Sequence, residues 1–321
     1  GAFLVGALRV LRQWSDINDG KKRHEFLRKH LHGIELDSFA LEVARLRLTL
    51  ADMPHGNTWD LIPADMFGDA RLETQSKRCG VLLANPPYEH FTPNERKVYA
   101  KRNIRLSAVS KACEMLQRTI PHLAVSACFG VVVPLGFLHS KEGFSLRRKL
   151  LNNFEICEID VFEDKLFEKG EPETAVLLGR RKPESTASAR LWFRRVRNSS
   201  VQAFRERFAF SSEERVDIAR FVANPNADLR VPELDSVWRF LKHVPSLSHI
   251  ATVGQGLAYK GKDLPKGAWT IHDPAETGDA RGFANVPADL AIFSIPTLVG
   301  MNLDRSVLLH VRAGLGSGIP Q

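Results

Sequence analysis

Apolar positions along the first 182 residues switch between two spacings, and the switches outline the elements. Residues 3 to 14 carry apolar side chains at helical spacing. Leu31 to Leu36 is a short apolar run that predicts a strand. Helical spacing returns from about Ser38 to Leu50, with Phe39, Val43, Leu46 and Leu50 on one face and Asp37 or Ser38 as the natural N-cap. Val81 to Ala84 predicts a compact strand, and a helix is expected from Ala108 to Leu123. Further strands are predicted at Cys128 to Val133, Ile156 to Val161 and Thr174 to Leu178. Strands alternating with helices build βαβ units, so the expectation is an α/β fold around a mostly parallel sheet.

The pattern changes after Lys182. Residues 180 to 220 hold eleven Lys/Arg against five Asp/Glu, with Trp192, Phe193, Phe204, Phe208 and Phe210 interleaved. This predicts a connecting segment over residues 184 to 245 that covers the preceding domain. From Ser246 the chain turns rich in Gly, Pro and Asp, which predicts a separate, less helical domain over residues 246 to 321.

Composition narrows the function classes. A chain of 321 residues with 44% hydrophobic and 26% charged residues is ordinary for a globular protein and argues against disorder. A net charge of +8 favours a polyanionic partner. Cys79, Cys113, Cys128 and Cys157 form no Cys-x-x-Cys pair and no zinc spacing, so no metal is expected, and the usage fits a reducing cytoplasm. The longest apolar run, Leu123 to Leu138, is interrupted by Ser126, Gly130 and Pro134. It falls short of the roughly 18 residues a membrane span needs, so no membrane partner is expected.

The residues that carry chemistry are Asn85-Pro86-Pro87-Tyr88, directly behind the Val81 to Ala84 strand. Proline fixes its own φ and cannot donate to a ladder, so the strand must stop there with its C-terminal edge open. In open α/β sheets ligands bind at that edge. A rigid turn is the bland alternative, and an Asn-Pro dipeptide alone would mean no more.

An apolar strand followed by Asn-Pro-Pro-Tyr resembles the catalytic motif of class I, S-adenosylmethionine-dependent amino-methyltransferases, especially the DNA adenine-N6 enzymes of restriction–modification and phage-defence systems. The resemblance covers roughly residues 1 to 183 and implies a Rossmann-like sheet with helices on both faces. It implies that the Asn85 side-chain oxygen and the Pro86 carbonyl accept the two hydrogens of an exocyclic amine. That localises the nitrogen lone pair towards the donor methyl without a covalent intermediate. Pro87 stiffens the turn, and Tyr88 stacks on a base rotated out of duplex DNA. Gly33-Ile34-Glu35-Leu36-Asp37 resembles the segment whose acid, here Glu35, binds the cofactor ribose. Ala64-Asp65-Met66-Phe67 resembles the next motif, with Asp65 accepting from the cofactor adenine amine beside Met66 and Phe67. Phe167 matches a late aromatic that packs on the flipped base, with Phe162 as its competitor.

Gly1-Ala2-Phe3-Leu4 resembles the end of the glycine-rich cofactor motif, with Gly1 and Phe3 as its residues here. The resemblance implies that the strand and turn before it are absent, that the chain is cut at both ends, and that this stretch alone binds cofactor weakly and is inactive. Leu247 to Lys262 resembles the start of a DNA target recognition domain. Arg96, Lys97, Lys101, Arg102 and Arg105, just past the motif, are expected to hold DNA phosphates. A nuclease or specificity function would lie upstream or in a separate subunit. Protein glutamine-N5 and RNA amino-methyltransferases share the tetrapeptide and stay open, as does a non-catalytic DNA-binding specificity subunit.

Overall fold

The computed structural model describes residues 1–68, 71–166, 173–182 and 190–245, together with three short strands beyond them. Two compact units divide between Pro232 and Glu233. The first unit opens with helices α1 (Ala2–Trp14) and α2 (Gly20–His30), strand β1 (Gly33–Glu35), helix α3 (Ser38–Ala51) and strand β2 (Leu61–Pro63). It continues through α4 (Arg71–Arg78), β3 (Val81–Ala84), α5 (Pro93–Lys101), α6 (Lys111–Thr119), β4 (Cys128–Pro134), α7 (Phe144–Asn153), β5 (Phe154–Phe162) and β6 (Thr174–Arg181). Strand β7 (Arg190–Val196), helix α8 (Val201–Arg207), strand β8 (Ser212–Asp217) and helix α9 (Ala219–Ala223) complete it. In the second unit the described elements are α10 (Asp235–Phe240) and strands β9 (Trp269–His272), β10 (Thr297–Val299) and β11 (Val307–Ala313), which form one antiparallel sheet in the order β10-β11-β9. Most of residues 246 to 321, expected to begin a target recognition domain, lies outside the described residues.

The α/β class is as expected, but the sheet is more mixed than the pattern implied. Six strands run β3-β4-β6-β5-β7-β8. Strand β3 is parallel to β4, and β5 to β7. The pairs β4·β6, β5·β6 and β7·β8 are antiparallel. Two-residue alternation predicts a strand without its direction, which only the connections decide. Strands β7 and β8, inside the segment expected to connect two domains, extend this sheet and belong to the first compact unit, which runs to Pro232, while residues 233 to 245 of that segment fall in the second.

Strands β1 and β2 pair in parallel as a separate ribbon. Among the described residues the ribbon and the six-stranded sheet share no hydrogen-bonded strand pair.

Sheet positions Phe129, Val131, Val133, Ile159, Ala175 and Leu177 meet Leu72 of α4, Cys113 and Leu116 of α6, and Leu146 and Leu150 of α7 in the main core. At about 25 cal/mol per Å² of apolar surface, this burial is the dominant favourable contribution to the unit. The opposite face carries α8, through Phe162, Val196 and Val201. Nearer β3 that face is open, and Val81 and Leu83 are exposed.

Helix α3 begins where expected, with Asp37 as N-cap accepting from the Ala40 amide at 2.8 Å. Its buried face is Leu41, Ala44 and Leu48, against α1 and the ribbon. The stripe Phe39, Val43, Leu46 and Leu50 is exposed instead. A helix apolar on two opposite sides gives no periodic signal for which side meets its own core. Helix α6 starts at Lys111 rather than Ala108, because Ser110 caps it by accepting from the Cys113 amide.

Candidate active site

Strand β3 ends at buried Ala84, and Asn85 follows it directly, exposed at the C-terminal edge of the sheet. Pro86 is buried, while Pro87 and Tyr88 are half-buried. The sequence stops the strand where the prolines require it, leaving the Asn85 amide accessible beside a rigid backbone.

The next residues are clamped. Phe91 is buried, and its amide donates to the Val109 carbonyl at 2.9 Å. Helix α5 begins with a full capping box. The Thr92 hydroxyl accepts from the Glu95 amide, and the Glu95 carboxylate accepts from the Thr92 amide at 2.7 Å. Lys111 pairs with Glu95 at 2.9 Å and with Glu89 at 3.1 Å. Donation from Lys111, then from Thr92, pulls the Glu95 carboxyl down to about 2. The strand-to-α6 connection is held by two further acids. Buried Glu114 accepts from the Ser107 and Ala108 amides, and Glu142 from those of Val109 and Ser110.

Glu35 closes β1 in register with Pro63 of β2, and its carboxylate accepts from the Asp37 amide at 3.1 Å. The Ala64 amide donates to the Glu35 carbonyl at 3.0 Å, so the two strand ends leave the ribbon together. Asp65 lies two residues past β2 and closes a turn: its Oδ1 accepts from the Phe67 amide at 2.9 Å and its carbonyl from the Gly68 amide. Met66 is half-buried against the main core. Phe67 is buried in edge-to-face contact with Phe91, ring centroids 5.0 Å apart. The Asp65 turn therefore packs on the segment that follows Asn85 to Tyr88.

Other expected positions are placed as follows. Gly1 caps α1 against Ala44, where an added Cβ would come within 3.1 Å of the alanine methyl, and Phe3 is exposed. Phe162 belongs to a core cluster and rests edge-on against Phe204 at 5.2 Å, which removes it as a base-stacking residue. Phe167 lies outside the described residues. Of the basic set, Lys97, Lys101, Arg102 and Arg105 are exposed. Arg96 instead donates to the Ala108 carbonyl, while exposed Arg102 reaches Asp65 and the Gly68 carbonyl, both at 3.4 Å. Such internal acceptors are what charge counting along a sequence does not see.

The residue that sequence reasoning missed is Tyr99 of α5. Its hydroxyl lies 3.1 and 3.0 Å from the two oxygens of Asp65, and its ring completes an aromatic group with Phe67 and Phe91. Nothing in local spacing links positions 34 residues apart.

No protein-family model matches the chain, and no curated protein matches it. Solved structures do. A modification subunit assigned to a type I restriction enzyme from Vibrio vulnificus YJ016 superposes with a TM-score of 0.55 at 16% identity, over 75% of this chain and 55% of that one. A chain of a type I restriction–modification system gives 0.53 at 17% identity, over 75% and 56%. The protein of a DrdV–DNA complex gives 0.50 at 13% identity, over 73% and 27%. The chain thus has the fold of type I modification subunits and spans about half the length of the first two. No described helix is long and apolar enough to cross a membrane.

Proposed function

We propose that the protein is an S-adenosylmethionine-dependent DNA methyltransferase acting on the N6 amine of adenine. The observation that carries this reading is Asn85-Pro86-Pro87-Tyr88 at the C-terminal end of β3, in a fold shared with type I modification subunits. The residues present suit the cofactor. A carboxylate follows or closes each of two adjacent parallel strands, Glu35 for a ribose diol and Asp65 for an adenine amine, with half-buried Met66 directly after Asp65. When bound, S-adenosylmethionine supplies an electrophilic methyl group.

The protein's own part is positioning. An exocyclic amine conjugated to a purine is a poor nucleophile because its lone pair is delocalised. The Asn85 amide oxygen and the Pro86 carbonyl hold its two hydrogens and turn the lone pair out of conjugation. Tyr88 offers a ring face to the base once it leaves the duplex, and Lys97, Lys101 and Arg105 offer charge to the flanking phosphates. Residues 246 to 321 are read as the start of the domain that recognises a particular sequence, and any nuclease is placed upstream or in a separate subunit.

The test is methyl transfer by the full-length protein from labelled cofactor, offered separately with duplex DNA, RNA and a protein extract. Label recovered as N6-methyladenine in DNA supports the reading. Asn85→Ala is expected to lower that rate at least about 100-fold while sparing DNA affinity, as removal of one positioned polar group does elsewhere. Label in RNA or glutamine would move the same chemistry to another substrate. DNA binding without label in any fraction would support a specificity subunit instead.

A further inference from the structure

Asp65 is a heavily engaged carboxylate near the candidate site, and its partners come from two directions. The Phe67 amide takes one lone-pair direction on Oδ1 at 2.9 Å. The Tyr99 hydroxyl sits almost midway between the two oxygens, at 3.1 and 3.0 Å. Arg102 reaches Oδ2 only at 3.4 Å and is half-exposed. A carboxylate offers about four lone-pair directions, and a tyrosine hydroxyl has a single hydrogen to give. One direction on Asp65 is therefore left for a donor from outside the protein.

We propose that Tyr99 is a positioning residue for the cofactor: its hydroxyl holds the Asp65 carboxylate at the orientation in which the remaining lone pair receives the adenine amine. The proposal rests on the reading of Asp65 as the adenine acceptor and adds the group that aims it. Three features make Tyr99 suited to this. Its ring is fixed edge-on to Phe67 and Phe91, with centroids at 6.5 and 5.8 Å, so the hydroxyl does not wander. Its helix α5 is anchored by the Thr92–Glu95 box and Lys111, directly behind the catalytic segment. Burial and the Asp65 charge push its hydroxyl up to about 12, so it remains a donor at every working pH. Through Phe91 and α5 the adenine acceptor is tied to the loop that begins with Asn85. Without the Tyr99 hydroxyl, Arg102 is the remaining side-chain donor to Asp65 and would pull the carboxylate towards solvent.

Tyr99→Phe keeps the ring contacts and removes one hydroxyl. With the full-length protein and S-adenosylhomocysteine as the calorimetric probe, Kd is expected to rise about tenfold, the usual size for a hydrogen bond to a charged group. In turnover the cofactor KM should rise similarly, with kcat at saturation unchanged. A second probe, S-inosylhomocysteine, replaces the adenine amine by a carbonyl and should bind Tyr99→Phe and the unsubstituted protein alike. If Asp65→Asn weakens S-adenosylhomocysteine but Tyr99→Phe does not, the positioning role is wrong and the Asp65 reading survives. Equal weakening of both probes by Tyr99→Phe would mean that the hydroxyl serves only packing, which also overturns the proposal. If Asp65→Asn binds normally, the reading of Asp65 itself fails.

Discussion

At the scale of single residues, one buried charge answers backbone groups rather than an opposite charge. Arg147 is fully buried, and no described carboxylate forms an ion pair with it. Its guanidinium donates to the carbonyls of Phe137, Ser140 and Ala227, each at 2.8 Å, and of Asn226 at 3.1 Å. Gly143 leaves room for it: a Cβ there would come within 2.7 Å of Arg147 Nη1. Burial lowers the affinity of this guanidinium for its proton, but four carbonyl partners keep it satisfied. Arg147→Met fills much of the space and orphans those four oxygens. We expect it to lower stability by roughly 3 kcal/mol, read as a shift in the urea midpoint at constant slope. Such a residue is invisible to patterning, because an arginine between Leu146 and Leu150 reads as the polar side of a helix.

At the scale of elements, β5, β7 and β8 carry a charge cluster on the sheet face that α8 only partly covers. Arg194 pairs with Glu158 at 2.6 Å and with Glu213 at 3.0 Å. Asp160, opposite Arg194 in register, is buried with one oxygen unpaired. Burial, then the neighbouring Glu158, push its carboxyl well above the usual carboxylate range, and Arg194 offsets this only in part. A carboxyl whose folded-state pKa is raised binds its proton more tightly when folded. Its contribution to stability is therefore complete below the ordinary carboxylate pKa and is lost as pH rises through the folded value. Urea unfolding between about pH 5 and about pH 9 should show the unsubstituted protein losing stability towards the alkaline end. Asp160→Asn should flatten that loss. A variant that declines as steeply as the parent would show that Asp160 ionises without cost.

At the scale of the whole molecule, a net charge of +8 is useful only where basic side chains are free to meet phosphate. Lys97, Lys101 and Arg105 are exposed around α5, whereas Arg96 is spent on the Ala108 carbonyl and exposed Arg102 leans on Asp65 at 3.4 Å. Each phosphate contact steepens the dependence of log affinity on log salt by about 0.9 for duplex DNA. Replacing Lys97, Lys101 and Arg105 together by alanine should flatten that slope by about 2.7 in a salt titration of DNA binding. An unchanged slope would place the DNA on another face of the protein.

What the sequence determined by itself is local. The strand at 81 to 84, its forced stop at Asn85-Pro86-Pro87 and the cap at Asp37 all follow from φ restriction, missing donors and side-chain acceptors within a few residues. The motif order that implies a methyltransferase was legible for the same reason, since each piece is a short run at a strand end. Tertiary structure alone decided which face of α3 meets the core, that β7 and β8 join the first unit, and that Arg96 turns inward. It alone brought Tyr99 onto Asp65. These outcomes depend on contacts between residues far apart in the chain, and local periodicity carries no information about which of two apolar faces, or which of several cations, the rest of the fold will claim.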